Sequence, residues 1–370
     1  MISNRFKRFF SQRYTPQFRH VLPGRMNEMI MREGLKQKTI ADFRMLKRWL
    51  LFKLSRQSRL LSDRLPPAPA RLLWIRNPRS ASIGDSVMEL AGRALLKNYE
   101  VDLLTAKSVV SLFQTDHFFK KVFTAPESID ASNYDFCLVD LFSSQSIKLK
   151  RQICPDMPFA GLQGFFYGVT YHQMLFSCYR IHHLLGYPYS ECELAPFLRP
   201  RLFLEDEPSP LPPKKNLRAC LVLGGVHPIK TYKSWPAVIR LLRQHWPAQK
   251  TFPEMVLIGS DNGQVYVEQV MDVLDRDQAW SFVGKLSLRA TARLIADCDF
   301  FIGPDGGLMH CAAAADVPGL ALFPTNDPQL FLPPETKIEA LWGTTEDINT
   351  INPELIAKKL EEQIGLALCH

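Results

Sequence analysis

Asp305-Gly306-Gly307-Leu308-Met309-His310 puts an acid, two bare-backbone residues and an imidazole into six positions. An apolar strand, Phe300 to Ile302, leads into this turn. A small-residue helix, Leu308 to Ala315, leaves it. A second apolar strand, Gly319 to Phe323, follows the break at Asp316-Val317-Pro318. Backbone amides at such a helix start carry the positive end of the helix dipole and suit a phosphate. Glycines that only tighten a crossover are the plainer alternative, and it leaves Asp305 and His310 without a task.

Two further clusters have the same placement. Lys230, Thr231 and Lys233 lie in His227-Pro228-Ile229-Lys230-Thr231-Tyr232-Lys233-Ser234-Trp235-Pro236, between a strand end and a helix start. A lysine there can neutralise a phosphate; solvated loop lysines are the alternative. Ser260, in Gly259-Ser260-Asp261-Asn262, ends the next strand where a nucleoside could be touched, although turns favour these residue types anyway. In the first half, Arg76-Asn77-Pro78-Arg79-Ser80-Ala81-Ser82-Ile83-Gly84-Asp85 follows a strand. Gly84 lets the backbone turn closely, with Arg76 and Ser82 on the same loop. Asp85, at or near a helix start, can take a proton from a hydroxyl nucleophile. A helix cap explains it equally well.

Positioning these loops needs strands that end beside helices that begin. Short apolar runs at 72–75, 101–105, 122–123 and 135–141 alternate with helical patterns, one of them from about Gly84 to Lys97. Runs at 219–223, 255–259, 282–283, 300–302 and 319–323 do the same in the second half, with helices at 235–245, 264–274, 288–298 and 353–366. That alternation predicts an α/β fold of two Rossmann-like, doubly wound parallel sheets. The expected divisions are a basic, partly helical extension at 1–65, a first domain at 66–204, a proline-rich linker at 205–215 and a second domain at 216–370. Ligands in such sheets bind at the carboxyl ends of the strands, so a cleft between the domains is expected. The aromatic-rich segment Phe159 to Leu185 is less regular and reads as the helical end of the first domain.

A chain of 370 residues with 46% hydrophobic content can fill two cores. No run approaches the roughly 18 to 20 apolar residues of a membrane span. The eight cysteines form no Cys-x-x-Cys pair. Cys178 and His182 have metal-ligand spacing but no further ligand, so core packing, a reducing cytoplasm and no metal site are expected. The net charge of +8 is uneven: residues 1–65 hold 16 Lys/Arg against 4 Asp/Glu, and the remainder holds 29 against 33. Ile40 to Leu61 reads as an amphipathic helix with Ile40, Phe43, Leu46, Leu50, Leu54 and Leu61 near one face, and with Trp49 and Phe52 at an interface. Anionic membrane surface and docking on protein are both open readings; nucleic acid lacks a motif.

Three of these segments together resemble the ADP-heptose:lipopolysaccharide heptosyltransferases, glycosyltransferase family 9. Ser82-x-Gly84-Asp85 is similar to that family's Ser-x-Gly-Asp, and Lys233-Ser234-Trp235-Pro236 to its Lys-x-Trp-Pro. Asp305-Gly306-Gly307-Leu308-Met309-His310 with Ala312-Ala313-Ala314 is similar to its Asp-(Ser/Thr)-Gly-x-x-His-x-Ala-Ala. The resemblance spans residues 71–325. It implies a GT-B fold, with the first domain for the acceptor and the second for the nucleotide-sugar donor. It also implies inverting sugar transfer with no metal or resident cofactor, first from ADP-heptose to a lipopolysaccharide or related glycan, at the cytoplasmic face of the inner membrane. Asp85 would be the general base. Lys233 and the amides of Gly306, Gly307, Leu308 and Met309 would hold the diphosphate. Asp305 and His310 would orient the donor, with Lys230, Thr231 and Ser260 nearby. Gly306 departs from the pattern by lacking a hydroxyl. A nucleotide-sugar epimerase or hydrolase, or a non-catalytic nucleotide-sugar-binding paralogue, are the competing readings.

Overall fold

The computed structural model describes residues 40–79, 82–163, 172–187, 197–225 and 227–367, with side chains excluded at 40–46 and 365–367. Residues 1–39 of the expected extension, Ser80 and Ala81, the centre of Phe159–Leu185, Cys192 and Cys369 lie outside the described residues. The chain divides between Pro200 and Arg201 into two compact units.

In the first unit, β1 (Arg71–Ile75), β2 (Glu100–Leu104), β3 (Val122–Phe123), β4 (Phe136–Val139) and β5 (Phe159–Gly161) form a parallel sheet in the order β3-β2-β1-β4-β5. Leu72, Leu73, Trp74, Cys137, Leu138 and Val139 are all buried. Strands covered on both faces read as unbroken apolar runs, which is why they stand out in the sequence. Among the described residues, four α-helices belong to this unit: α1 (Ile40–Leu54), α2 (Ile83–Glu89), α3 (Ser144–Ile153) and α4 (Gln173–Leu184). The expected long helix from Gly84 to Lys97 is corrected. Helix α2 ends at Glu89 and the chain continues in tighter 3-10 turns from Leu90 to Leu96, close to α4, where a Cβ on Gly92 would press on the end of the Ile181 side chain.

The expected helix from Ile40 to Leu61 is corrected: α1 ends at Leu54, and Leu50 and Leu54 are not what docks it. Leu50 and Leu54 point outward, and Phe52 is fully buried. Its ring lies 5.2 Å from Phe142 and 6.2 Å from Phe159. Gln57 donates to the Pro155 carbonyl at 2.9 Å and Leu65 is buried. Residues 52–65 therefore supply core to the first unit, with the Phe52 ring packed among other aromatic rings.

The second unit carries β6 (Arg218–Val222), β7 (Glu254–Ile258), β8 (Ala279–Ser281), β9 (Phe300–Pro304), β10 (Gly319–Phe323) and β11 (Ile338–Trp342), all parallel, in the order β11-β10-β9-β6-β7-β8. Helices α5 (Trp235–His245), α6 (Gln264–Met271), α7 (Leu288–Ala296), α8 (Gly307–Ala314) and α9 (Pro353–Ala367) complete it. The strand expected at 282–283 lies instead at 279–281. The proline-rich stretch is tied to this unit. Arg289 reaches Asp206 and, at 3.2 Å, Glu207, and Lys214 meets Asp299 at 2.6 Å.

Both sheets reverse strand order beside their first strand, between β1 and β4 and between β6 and β9. The crevice outside the carboxyl ends of those strands is where open α/β sheets take ligands. The loops singled out in the sequence follow β1, β6 and β9.

Candidate active site

In the second unit the loop after β6 and the turn after β9 meet directly. Lys230 Nζ pairs with Asp305 Oδ2 at 2.7 Å, and Asn326 donates to the same oxygen at 3.3 Å. Asp305 is buried, and its amide donates to the Leu322 carbonyl at 2.8 Å, so backbone and side chain are both fixed. Gly306 is the residue before α8, with no side-chain cap. The next residues, Gly307 and Leu308, are half-buried, whereas Met309 and His310 are buried. Met309 can therefore serve a ligand through its amide only. Gly306 is extended, at φ 176°, and a Cβ built there would meet only the Pro304 carbonyl oxygen at 3.9 Å. Neither backbone nor packing demands glycine at this position.

Trp235 explains the lysine motif. Its indole is buried against Tyr232, with ring centroids 4.8 Å apart, and Pro236 occupies the first turn of α5. Tyr232 is pinned by its hydroxyl bond to the Ile351 carbonyl at 2.9 Å. Lys233, between two buried aromatics, is held at the surface. Asn349 fixes its loop, accepting from the Lys233 amide at 2.9 Å and donating to the Thr231 carbonyl at 3.0 Å. Lys233 is exposed and lies within electrostatic reach of Asp347, whose carboxyl is held below its ordinary range first by its bonds with Asn349. Thr231 Oγ1 is buried without a hydrogen-bond partner. Gly259, at φ 140°, brings the end of β7 against the end of β6, where any Cβ would strike the Leu223 carbonyl. That contact positions exposed Ser260, which donates to Asn262 at 2.7 Å.

In the first unit, Ser82 caps α2 by accepting from the Asp85 amide at 3.0 Å. Asp85 sits in the first helical turn, half-buried, and no hydrogen bond reaches its carboxylate among the described residues. The cap is thus the serine, leaving the carboxylate open for other work. Gly84 is buried. Arg76 turns inward and is almost fully buried. Its Nη2 meets Glu89 Oε2 at 2.8 Å, and its Nε lies 3.7 Å from Asp140 Oδ2. Gln163 donates to Glu89 at 2.8 Å and Trp74 Nε1 to Asp140 at 3.2 Å. Burial pushes the Glu89 carboxyl up to about 7 against the pull of Arg76, with Asp140 and Asp85 adding to the rise. Asp140 is raised by burial as well, again against Arg76. Burial works against the charge of Arg76, but Asp140, Glu89 and Asp85 outweigh it and hold the guanidinium above its ordinary range.

Glu89 and Asp140 escape the reading of the sequence. The available signal was an acid inside each of two apolar runs, Val87-Met88-Glu89-Leu90 and Cys137-Leu138-Val139-Asp140, since acids are seldom buried unless paired. Among the described residues no group of three His, Cys, Asp or Glu side chains could hold a metal ion. The Cys178 thiol is buried and pushed up to about 12, which keeps it protonated and a poor ligand. No helix of the described residues is long and apolar enough to cross a membrane.

Residues 227–360 match the family model for glycosyltransferase family 9 (heptosyltransferase). Lipopolysaccharide heptosyltransferase 2 of Salmonella typhimurium is 36% identical over 22% of this chain and 24% of its own length. Lipooligosaccharide heptosyltransferase 2 of Haemophilus influenzae is 28% identical over 30% of this chain and 38% of its own length. These stretches thus span less than half of either relative. Solved structures match over most of the chain. A family 9 glycosyl transferase from Veillonella parvula aligns with a TM-score of 0.64 at 13% identity, over 82% of this chain and 100% of that one. E. coli heptosyltransferase WaaC with ADP aligns with a TM-score of 0.63 at 16% identity, over 79% and 99%. Two parallel α/β units of the GT-B kind are common to all three.

Proposed function

We propose that this chain, whose residues 227–360 match the model for glycosyltransferase family 9, is an inverting, metal-independent glycosyltransferase using a nucleotide-diphosphate sugar, ADP-heptose first. The acceptor is a hydroxyl of lipopolysaccharide or a related glycan. The observation that carries this reading is the Lys230–Asp305 pair bridging the ends of β6 and β9, beside a helix start with no side-chain cap. An anion at α8 would complete the cap that Gly306 does not provide. Lys233 neutralises the same diphosphate, and Asp305 and His310 orient the sugar. Thr231 and Ser260 line the approach from β6 and β7. Asp85, on the first unit, is the base.

The step is a single displacement. The acceptor oxygen forms the new bond at the anomeric carbon while the bond from that carbon to the diphosphate oxygen breaks. The diphosphate leaves with the electron pair, and the hydroxyl proton ends on Asp85. Titrating ADP-, UDP-, GDP- and CMP-sugars by calorimetry, then following product formation with and without a lipopolysaccharide acceptor, tests the reading. ADP-sugars should bind best and a chelator should leave transfer intact. Conversion without acceptor would indicate an epimerase or hydrolase instead. Gly306 favours one second reading, a nucleotide-sugar-binding paralogue without transfer, because it deletes a hydroxyl where no backbone demand exists. Binding without product in every acceptor assay would select that reading.

The basic N-terminus suits an acceptor anchored in an anionic leaflet on the cytoplasmic side. Residues 1–39 alone hold 9 Lys/Arg against 2 Asp/Glu. Residues 52–65 contribute core, so a clean deletion ends before Ile40. Removing 1–39 should leave nucleotide binding unchanged and weaken sedimentation with phosphatidylglycerol vesicles, each basic residue near the surface adding up to about 1 kcal/mol. Raised salt should mimic the deletion. Full-length protein that ignores such vesicles at low salt would end the membrane-surface idea.

A further inference from the structure

Glu89 lies four residues after Asp85 on α2, so the two acids share one helical face. Behind them stands a closed polar cluster. Arg76 follows β1, Asp140 follows β4 and Gln163 follows β5, all at the carboxyl edge of the sheet. Arg76 bonds Glu89 at 2.8 Å and faces Asp140 at 3.7 Å; Gln163 and Trp74 hold the outer oxygens of the two acids. Glu89 and Asp140 are both buried. Arg76 Nε and Nη1 are buried without hydrogen-bond partners, so the guanidinium bonds Glu89 through Nη2 and stands near Asp140 without bonding it. The cluster has one cation for two buried acids, with the Asp85 charge added in front. Two close acids and one cation out of water favour retention of a proton.

We propose that Glu89 is a positioning residue that acts through Asp85, its gain or loss of a proton setting how strongly Asp85 attracts the proton of the acceptor hydroxyl. This rests on the reading of Asp85 as the base. The groups facing Glu89 are Arg76 from the β1 loop, Asp140 from the β4 loop, Gln163 from the β5 loop and Asp85 on its own helix. With Glu89 protonated, Arg76 balances Asp140 and Asp85 meets a nearly neutral neighbour. With Glu89 ionised, a second negative charge stands behind Asp85 and makes it a stronger base. The Glu89 carboxyl is held near 7 chiefly by burial, so the change falls in the physiological range.

The test is kcat/KM against pH for wild type, Glu89→Gln and Asp140→Asn, with lipopolysaccharide acceptor. Wild type should rise through about pH 7 by roughly threefold to tenfold, as Brønsted dependence on a base of changing strength gives. Glu89→Gln should lose that limb and keep the low-pH rate throughout. Asp140→Asn should move the limb down by about one pH unit, because it removes a charge that raises Glu89. Thermal melting supplies a readout besides activity. A carboxyl raised from 4.5 to about 7 on folding gives stability that is fully present below about 4.5 and lost as pH rises through 7. The melting temperature of Glu89→Gln relative to wild type should therefore climb by roughly 5 °C between pH 5 and pH 8. A Glu89→Gln rate profile parallel to wild type, or a uniform loss in both variants with an unmoved limb, overturns the proposal. If Glu89→Gln does not fold, the position of the Asp140→Asn limb decides alone. Asp85→Asn without activity beside an unaltered Glu89→Gln profile defeats this inference and spares the base; Asp85→Asn with normal turnover defeats both.

Discussion

Asp85→Asn should fold like the parent, bind nucleotide sugar with unchanged affinity, and turn over roughly 10²-fold more slowly or worse, as loss of a general base does. The structure makes this substitution informative. The bond that caps α2 runs from the Asp85 amide to the Ser82 hydroxyl and does not involve the carboxylate. Asparagine has the same shape and the same backbone, so the helix start survives. The carboxylate also takes no hydrogen bond among the described residues, so no buried partner is orphaned by its removal. What is lost is the proton acceptor, together with one negative charge near Arg76 and Glu89. Ligand affinity should hold because the lysines and the helix start assigned to the diphosphate belong to the second unit. The measurement is steady-state turnover with the true acceptor beside calorimetry with the donor. Turnover within about threefold of wild type would remove Asp85 from the chemistry.

The readable and unreadable parts of this chain divide by environment. Central strands β1, β4, β6 and β9 are covered on both faces and show as apolar runs bounded by polar turns. Edge strand β11 has buried Ile338 beside exposed Glu339, half-buried Ala340 and Leu341 and exposed Trp342, so no unbroken buried run marks it in the sequence. Helix α3 escaped as well, since its polar residues outnumber its apolar ones. The direction in which α1 faces was unreadable because Leu46, Leu50 and Leu54 make as good a stripe as the positions around Phe52. Only the pocket formed by Phe142 and Phe159, some 90 to 107 residues further on, decides between them. In the site, Asp85 and Asp305 were legible through their glycines. The partner of Lys230 was not, because the Lys230–Asp305 pair spans 75 positions and depends on β6 lying beside β9. Glu89 and Asp140 were hidden for the same reason. Each gains meaning only when the sheet order sets Arg76 between them.

Lys233→Ala should weaken nucleoside-diphosphate binding by about tenfold to a hundredfold, the range expected for a charge-assisted contact to phosphate. The neighbouring lysine shows why Lys233 is the cleaner choice. Lys230 is spent on Asp305, so removing it would leave that buried carboxylate with Asn326 but without a counter-charge and confound affinity with stability. Lys233 has no such obligation. Its amide is already held by Asn349, and the fold of the loop depends on buried Tyr232 and Trp235 on either side. Truncating an exposed side chain on a backbone so fixed should leave the melting temperature within a degree or two of wild type. The expected pattern is therefore a weaker affinity with an unchanged melt. Lys233→Arg should recover part of the loss through charge alone, since a guanidinium keeps the attraction and changes the geometry. Raised salt should diminish the difference between wild type and Lys233→Ala, because an exposed cation is screened. Calorimetry giving equal affinity for ADP in wild type and Lys233→Ala would return this lysine to the solvated surface. The diphosphate would then be left to the open start of α8, and Gly306→Ser, which the surrounding space admits, would become the substitution to measure.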